Sequence, residues 1–386
     1  MDQLPVPTPD AAEHSHRLCT LLRQRIADAS GWLSFADFMA QTLYEPGLGY
    51  YAAGARKFGS AGDFVTAPEM SGLFGEALAQ QVAEILPVSA PCILEIGAGS
   101  GRLAADLLAS LNTIGCIPEH YYILDLSADL RERQRATLAS AVPQWLDRVE
   151  WLDRLPEQFS GVVIGNELLD AMPAHIVAWR EDGIHERGVG IDGNGQFIWQ
   201  EQPAQGVLLD SARQIGRQCT LPPGYESEIS LAARAWVREW GHRLVCGALF
   251  LIDYGFPRRE FYHPQRARGT LMCHYRHRAH PDPFFWPGLQ DLTVHVDFTA
   301  VIESGDAVGL DLLGYTNQGQ FLINCGILDA LAAQPQGTPE YFRASGAVGK
   351  LLMPHEMGEL FKVIALGRGI TAPLRGFRQG DQSRRL

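Results

Sequence analysis

The sequence predicts an α/β protein with a doubly wound sheet, and three observations indicate it. Residues 92–101 (CILEIGAGSG) form a short aliphatic run that ends in a glycine-rich turn, and residues 102–108 (RLAADLL) continue with a helical pattern. A second apolar run, residues 121–125 (YYILD), follows that helix and ends in an aspartate. Further short apolar runs at 148–153 and 161–167 complete an alternation of strands and helices.

The glycine turn predicts a nucleotide-like ligand. Glycine lets the backbone approach a ligand closely, and the N–H groups that open the next helix carry positive partial charge. A dinucleotide fingerprint, G-x-G-x-x-G, needs a third glycine, but that position, counted from Gly97, is Arg102. The turn instead reads E-x-G-x-G-x-G, with Glu95 before Gly97, Gly99 and Gly101. This form resembles motif I of the class I S-adenosylmethionine (SAM) methyltransferases, which implies SAM as cofactor; an ordinary tight connection between strand and helix is the alternative.

Polar residues stand at the ends of the next strands. Asp125 ends the second strand, and in this fold that carboxylate accepts hydrogen bonds from both ribose hydroxyls. We therefore predict that Asp125 and the adjacent Leu126 contact the cofactor, and that Ser127 caps the following helix. Asp153, after the third strand, stands where such enzymes often hold the adenine amino group, although a surface turn explains it nearly as well. Asn166, at the end of the fourth strand, is a further predicted cofactor contact.

Composition limits the class of protein. The 386 residues, 46% of them hydrophobic, suffice for one large domain with additions or for two domains. No run approaches the ~18–20 apolar residues of a membrane helix. The net charge of −12 argues against nucleic acid as the main partner. The cysteines form no C-x-x-C pair and no secretory or transit signal is visible, so we expect reduced thiols and a cytoplasmic location.

The order of the elements predicts two regions. Residues 1–88 are expected to form an N-terminal helical cap, and residues 89–386 a SAM-dependent methyltransferase domain with a β-rich insertion at about 172–245. Within the cap, segment 44–69 is rich in glycine and aromatic residues, which favours a mobile cover over the active site. A packed structural prop is the alternative for this segment.

The insertion and the rest of the core are predicted as follows. The insertion contains short alternating runs and then a helix over 230–240, with Gly241 as its stop. The core resumes with apolar runs at 247–255, 310–315 and 361–366. Together with the first four strands, these runs predict a sheet of seven strands.

The chain resembles the MidA family of SAM-dependent methyltransferases, whose mitochondrial branch modifies arginine in a complex I subunit. The matching segments span nearly the whole chain and are 44–51 (YEPGLGYY), 62–76 (GDFVTAPEMSGLFGE), 95–101 (EIGAGSG), 165–173 (GNELLDAMP), 251–255 (LIDYG), 290–298 (QDLTVHVDF) and 314–318 (GYTNQ). The resemblance implies methylation of a protein arginine to symmetric dimethylarginine, with a respiratory-complex subunit as one candidate partner. Because no transit peptide is visible, we expect a bacterial-type member in the cytoplasm, or a mitochondrial-matrix protein if the chain is a processed eukaryotic form.

Arginine methylation requires carboxylates near the target. A guanidinium is protonated far above pH 7 and is a poor nucleophile, so acids must orient it. Glu167 and Asp170 follow the fourth strand, and if a helical turn begins there they share one face at i and i+3. We predict that they clamp the guanidinium; the alternative is that they cap the following turn. His295 precedes Asp297 by two residues and is the third predicted catalytic residue, although Asp297 is also well explained as the cap of a helix over 298–303.

Other polar residues give weaker signals. Asp63 and Glu69 are candidates for closing over the cofactor or the target, although a solvated loop explains them equally well. Asp253 faces the same edge of the sheet by topology. Residues 273–280 (CHYRHRAH) contain cysteine and histidine, but their arginines favour a positively charged loop on the substrate side, and no metal is predicted.

Two other functions remain open from the sequence. One is a methyltransferase acting on a small molecule or another non-arginine target, which would need a narrow apolar pocket instead of an open groove. The other is an assembly factor that binds SAM without catalysis. The intact glycine turn, Asp125 and the acid pair argue against a complete loss of catalysis.

Overall fold

The computed structural model describes residues 4–52 and 66–386. It divides into two compact units. The first contains the described part of Met1–Phe64, with Asp170–Ala235 and Pro257–Asp297; the second contains Val65–Leu169, Trp236–Phe256 and Phe298–Leu386. These units differ from the regions predicted from the sequence, whose borders lie at 88 for the cap and at about 172 and 245 for the insertion. Those domain borders stay a prediction.

The helices and strands of the described residues are numbered in chain order. The helices are α1 (Pro9–Asp28), α2 (Phe35–Tyr44), α3 (Ala67–Met70), α4 (Gly72–Ile85), α5 (Arg102–Ile114), α6 (Ala128–Ala141), α7 (Gly206–Gln218), α8 (Leu231–Arg243), α9 (Arg258–Phe261), α10 (Phe298–Asp306), α11 (Gln318–Asn324), α12 (Ile327–Ala332), α13 (Pro339–Leu352) and α14 (Met357–Leu360). The strands are β1 (Leu33–Ser34), β2 (Cys92–Ile96), β3 (His120–Leu124), β4 (Val149–Leu152), β5 (Phe159–Asn166), β6 (His175–Arg180), β7 (Gly183–Ile191), β8 (Phe197–Pro203), β9 (Tyr225–Ile229), β10 (Leu244–Phe256), β11 (Met272–Tyr275), β12 (Arg278–His280), β13 (Asp291–Thr293), β14 (Val296–Asp297), β15 (Asp311–Asn317) and β16 (Phe361–Arg368). None of these helices is long and apolar enough to cross a membrane.

The largest sheet of the described chain contains eight strands, and seven of them, all in the second unit, follow the order β15-β16-β10-β5-β2-β3-β4. The strands from β10 to β4 in this order pair in parallel, whereas β16 is antiparallel to both β10 and β15. The predicted α/β class is therefore confirmed, with one strand more in the sheet than the seven expected. The doubly wound arrangement and the N-terminal cap stay predictions.

The centre of this sheet fixes where polar groups can lie. Ile93 and Leu94 of β2 and Val162 and Val163 of β5 have no exposed surface, so both faces of these strands are covered. Polar residues are consequently confined to the ends of the strands. The register pairs Ile96 with Gly165, which places the residues after β2 beside the residues after β5 at the carboxyl edge.

The first unit contains an antiparallel sheet in the order β1-β7-β6-β9, with β8 paired to β7. Strand β7 was not predicted because glycines and charges interrupt its hydrophobic alternation. Leu18 of α1 and Phe38 of α2 belong to the same hydrophobic cluster as Ile176 and Val189 of the insertion. The N-terminal helices thus share a core with the insertion.

The predicted cover over residues 44–69 lies partly outside the described residues, which stop at 52 and resume at 66. In the described part, Tyr51 stacks on Tyr44 with ring centroids 5.6 Å apart, and Tyr50 is only 2% exposed. This end of the segment is packed in the first unit, and the cover itself stays a prediction.

Gly241 has a different role from the predicted helix stop. Helix α8 continues past it to Arg243. A Cβ added at Gly241 would lie 2.1 Å from Val308 Cγ2, which is far inside van der Waals contact. The glycine therefore allows close packing and does not end the helix.

We expect Gly241→Ala to destabilise the protein. Alanine favours a helix by up to about 1 kcal/mol over glycine, but the clash with the rigid, β-branched Val308 costs about 1–3 kcal/mol. The free energy of unfolding in urea, measured for Gly241→Ala, Val308→Ala and the double variant, separates the gain in helix propensity from the cost of the clash. In the Val308→Ala background the alanine at 241 should no longer destabilise. A single Gly241→Ala variant as stable as the parent would contradict this packing.

Candidate active site

The glycine turn between β2 and α5 adopts a backbone that favours glycine. Gly97, Gly99 and Gly101 have φ angles of +72°, +52° and +82°, in the left-handed region that residues with a Cβ rarely adopt. The N–H of Gly97 donates to the Leu124 carbonyl at 3.0 Å, which ties the turn to the end of β3. Helix α5 starts at Arg102, directly after the turn. The turn therefore presents helix N–H groups and backbone without side chains, as a nucleotide-like ligand requires.

Asp125 follows β3 at the same edge and is 7% exposed. Its Oδ1 accepts from the Ser127 N–H at 3.0 Å and its Oδ2 from Gln134 Nε2 at 2.9 Å. Burial raises the pKa of Asp125, and these hydrogen bonds oppose the rise. The next residue, Leu126, is 79% exposed, so its apolar side chain is accessible to a ligand.

Asp153 forms an exposed ion pair with Arg131, whose Nη1 lies 2.6 Å from Asp153 Oδ1. Arg131 also donates to the Asp125 carbonyl at 2.8 Å and to the Leu152 carbonyl at 2.6 Å. Arg131 therefore joins the ends of β3 and β4, a role that no local sequence pattern predicts. The ion pair accounts for Asp153 as a surface residue, and its contact with adenine stays a prediction.

Glu95 is a buried carboxyl group at the end of β2, with 3% of its surface exposed. Burial raises its pKa to about 7, while the hydroxyl of Tyr121, which donates to Glu95 Oε2 at 2.5 Å, opposes this rise. The charge of nearby Asp125 raises the pKa further. Glu95 consequently changes its charge close to neutral pH.

Glu167 begins the segment after β5 and has a φ of +50°, which is uncommon for a residue other than glycine. Its N–H donates to the Ile252 carbonyl at 2.8 Å. The N–H groups of Leu168 and Leu169 donate to Asp253 Oδ2 at 3.1 and 2.8 Å. Strand β10 thus anchors this segment, and Asp253 serves as the anchor.

The helical turn expected at Glu167–Asp170 is wrong, because no helix forms there. The amides of Leu168 and Leu169 donate to the Asp253 carboxylate. Without a helical turn, the i, i+3 spacing gives no reason for Glu167 and Asp170 to share a face, and the clamp itself stays a prediction. The side-chain amide of Asn166 donates a hydrogen bond from Nδ2 to Glu167 Oε1 at 3.2 Å. The roles of these residues stay predictions.

Asp170 lies among acidic and phenolic groups of the first unit. Asp170 is 4% exposed and Asp291 is 2% exposed. The Tyr51 hydroxyl donates to Asp291 Oδ1 at 3.0 Å. Burial raises the pKa of Tyr51 well above its usual value, and the charges of Asp291, Tyr44 and Asp170 add to the rise. Asp291 was not predicted, although it lies within the matching segment 290–298.

His295 is buried, and this burial lowers its pKa to about 4, with the charge of Arg266 lowering it further. The imidazole is neutral at pH 7 and is a weak base. Asp297 Oδ2 pairs with Arg258 Nε at 3.2 Å, and both side chains are buried. Helix α10 begins directly after Asp297, as expected.

The predicted loop at 273–280 is a hairpin of β11 and β12. Arg276 and His277 connect the strands with φ angles of +48° and +61°, typical of a type I′ turn. Among the residues that the structure describes, no group of three or more histidine, cysteine, aspartate or glutamate side chains is arranged to hold a metal ion.

A parallel sheet whose glycine turn lies beside a buried aspartate at the end of the next strand is typical of the SAM-dependent methyltransferases. Comparison with known proteins agrees, since residues 73–316 match the family model described as "Putative S-adenosyl-L-methionine-dependent methyltransferase". The chain belongs to this family, known as the MidA family. Membership confirms the predicted cofactor, SAM.

Relatives with known names and structures are similar over most of the chain. It is 28% identical over 373 residues to protein arginine methyltransferase NDUFAF7 of Danio rerio, covering 88% of this chain and 84% of that protein. The Drosophila melanogaster homologue is 28% identical over 403 residues, covering 94% and 87%. A Burkholderia thailandensis protein crystallised with S-adenosyl-homocysteine is 50% identical, with a TM-score of 0.96 over all of both chains.

We expect Asp125→Ala and Gly97→Val to lose affinity for S-adenosyl-homocysteine. The first removes charge-assisted hydrogen bonds worth about 1.5–3 kcal/mol each, which is at least about tenfold in Kd. The second forces a β-branched residue into a left-handed backbone facing the ligand. Calorimetry measures both, and Gly115→Val, which strains the remote end of α5 at a φ of +79°, is the matched control. Wild-type affinity in Asp125→Ala would contradict the assignment of Asp125 to the cofactor site. Tight binding of NADH would favour a dinucleotide as the ligand.

We expect Glu95 to make stability fall as pH rises towards neutrality. The unfolded carboxyl ionises near 4.5, but the folded one holds its proton to about 7, so the folded state loses stability between these values. The loss amounts to roughly 3 kcal/mol and is constant at higher pH. Denaturant unfolding from about pH 4 to pH 8 should show this fall relative to Glu95→Gln. Glu150→Gln, at an exposed carboxylate, is the control; parallel pH profiles for wild type and Glu95→Gln would refute the assignment.

Proposed function

We propose that this chain transfers the methyl group of SAM to an arginine guanidinium of a protein, giving symmetric dimethylarginine. Relatives named protein arginine methyltransferases, 28% identical over 88% of the chain, support the target class. The observation that carries the proposal is the backbone position of Glu167, which strand pairing and its N–H bond to the Ile252 carbonyl hold at the sheet edge where the glycine turn lies.

The position of Glu167 follows from the centre of the sheet. Strand β5 lies between β2 and β10, with Gly165 paired to both Ile96 and Leu251. A Cβ added at Gly97 would lie 3.7 Å from Leu168 Cδ1, so the segment after β5 touches the glycine turn. We therefore propose that Glu167 lies next to the methyl donor when the turn binds SAM.

We propose that the glycine turn, Glu95 and Asp125 bind SAM, with Leu126 and Asp153 on the adenosine side. The three left-handed glycines and the fixed carboxylate of Asp125 fit this ligand. SAM supplies a methyl group made electrophilic by its sulfonium centre. The protein then has to deliver a nitrogen in line with that methyl group and exclude water.

A carboxylate beside the donor suits a guanidinium target. It accepts two parallel hydrogen bonds from the non-reacting nitrogens and compensates their positive charge. We propose that Glu167 makes this contact, that Asn166 orients its Oε1, and that Asp253 fixes the backbone below it. This contact would aim the reacting nitrogen at the methyl group. As the nitrogen–carbon bond forms, the carbon–sulfur bond would break to leave S-adenosyl-homocysteine, and the proton of that nitrogen would pass to solvent.

The first unit offers acids of its own for a cationic side chain. Asp170 and Asp291 are both buried and lie near Tyr51. We propose that Asp170 contributes to arginine recognition. His295 is a poor general base, because a group with a pKa of about 4 accepts a proton only weakly at pH 7.

The proposed substrate is a protein, with a respiratory-complex subunit as the first candidate because the relatives are mitochondrial proteins. Incubation with methyl-labelled SAM and a cell lysate, followed by mass spectrometry, tests this. Label on arginine of a protein supports the proposal. Label only on a small molecule or on another residue type would replace it with a different methyltransferase, and binding without label would favour an assembly factor.

We expect Glu167→Gln to lower methyl transfer by at least about tenfold, because the variant keeps the size but loses the charge that a guanidinium needs. Affinity for S-adenosyl-homocysteine should change by less than about tenfold, or ~1.4 kcal/mol. Glu150→Gln is the matched control because its carboxylate is exposed on β4. An equal loss of cofactor affinity in Glu167→Gln would show that Glu167 belongs to the cofactor site or to the fold.

A further inference from the structure

Gln134 of α6 is a polar side chain without exposed surface beside the proposed cofactor site. A buried amide costs free energy unless its polar atoms are hydrogen-bonded. Gln134 Nε2 donates to Asp125 Oδ2 at 2.9 Å and to the Gly99 carbonyl at 3.1 Å, and its Oε1 accepts from Trp151 Nε1 at 2.9 Å. One side chain therefore joins the glycine turn, the end of β3 and strand β4.

The partners of Gln134 determine how its amide faces. An indole N–H can only donate and a carbonyl can only accept, so the amide oxygen must face Trp151 and the NH₂ group must face Gly99. A flipped amide would lose these bonds. Asp125 is held from the other side by the Ser127 N–H, so its carboxylate cannot rotate without losing hydrogen bonds.

The backbone of the turn also packs against Gln134. A Cβ added at Gly101 would lie 3.0 Å from Gln134 Cα and 3.2 Å from its Cβ, so α6 approaches the turn closely only because position 101 is glycine. The Arg135 guanidinium lies 4.3 Å from the ring centroid of Trp151 and holds the indole in place.

We propose that Gln134 is a positioning residue for the methyl donor. It fixes the carboxylate of Asp125 and the backbone at Gly99 in their binding geometry before the ligand arrives, so that binding does not have to order them. This inference rests on the proposed contact between Asp125 and the ribose.

Gln134→Met tests the proposal because it removes the three hydrogen bonds at similar volume. We expect the Kd for S-adenosyl-homocysteine, measured by calorimetry, to rise about tenfold. Gln81→Met is the matched control: Gln81 is also fully buried, and it accepts from the Gly376 N–H at 2.8 Å. The control should lose thermal stability and keep its affinity. Wild-type affinity in folded Gln134→Met would overturn the proposal.

A double-mutant cycle with Asp125→Asn separates positioning from general loosening of the fold. If Gln134 acts through Asp125, the combined loss of affinity is smaller than the product of the single losses. If the two losses of affinity multiply fully in the double variant, the proposal for Gln134 is overturned but the ribose contact of Asp125 is not. Wild-type affinity in Asp125→Asn overturns the ribose contact as well, so the two failures are distinguishable.

Gln134→Glu provides a second variant of almost unchanged shape. Its carboxylate repels Asp125 when ionised and donates one hydrogen bond when protonated. The affinity of Gln134→Glu for S-adenosyl-homocysteine, relative to that of the wild type, should therefore rise as the pH falls. An unchanged pH profile of the affinity would count against a role of Gln134 towards Asp125.

Discussion

The left-handed backbone of the glycine turn is the constraint on which the rest of the second unit depends. Three residues with positive φ reverse the chain between β2 and α5 at the centre of the sheet. The turn is tied to β3 by the Gly97 N–H, to α6 by the Gly99 carbonyl, and to α6 again by the close packing of Gly101. The neighbouring strands deliver their polar end residues to this place because their apolar bodies are buried on both faces.

The sequence predicted what local patterns encode. The strand at Cys92–Ile96, the turn, the acid at Asp125 and the cap at Ser127 are each determined by residues close in the chain, and all are present. Gly241 was misinterpreted because its reason is Val308, which is distant in sequence. Strand β7 was missed because pairing with β6 and β8, and not its own alternation, makes it a strand.

In the candidate site, sequence reasoning found the residues that could contact ligands but missed those that hold them. Gln134 and Arg131 are polar residues within a helix, and nothing in the local pattern separates them from surface positions. Asp253 was noticed only for its place at the sheet edge, whereas its bonds to the Leu168 and Leu169 amides show what it does. Such roles depend on which backbone groups the fold leaves to be satisfied, and this information is tertiary.

The backbone at Glu167 has a conformation that favours glycine. A non-glycine residue with a φ of +50° carries strain of order 1–3 kcal/mol, and glycine would remove it at an entropic cost of roughly 0.5–1 kcal/mol. A chain selected for folding alone would thus drift towards glycine at position 167. If Glu167 contacts the guanidinium as proposed, a screen for thermostable variants would favour glycine at a position where the proposed chemistry needs a carboxylate.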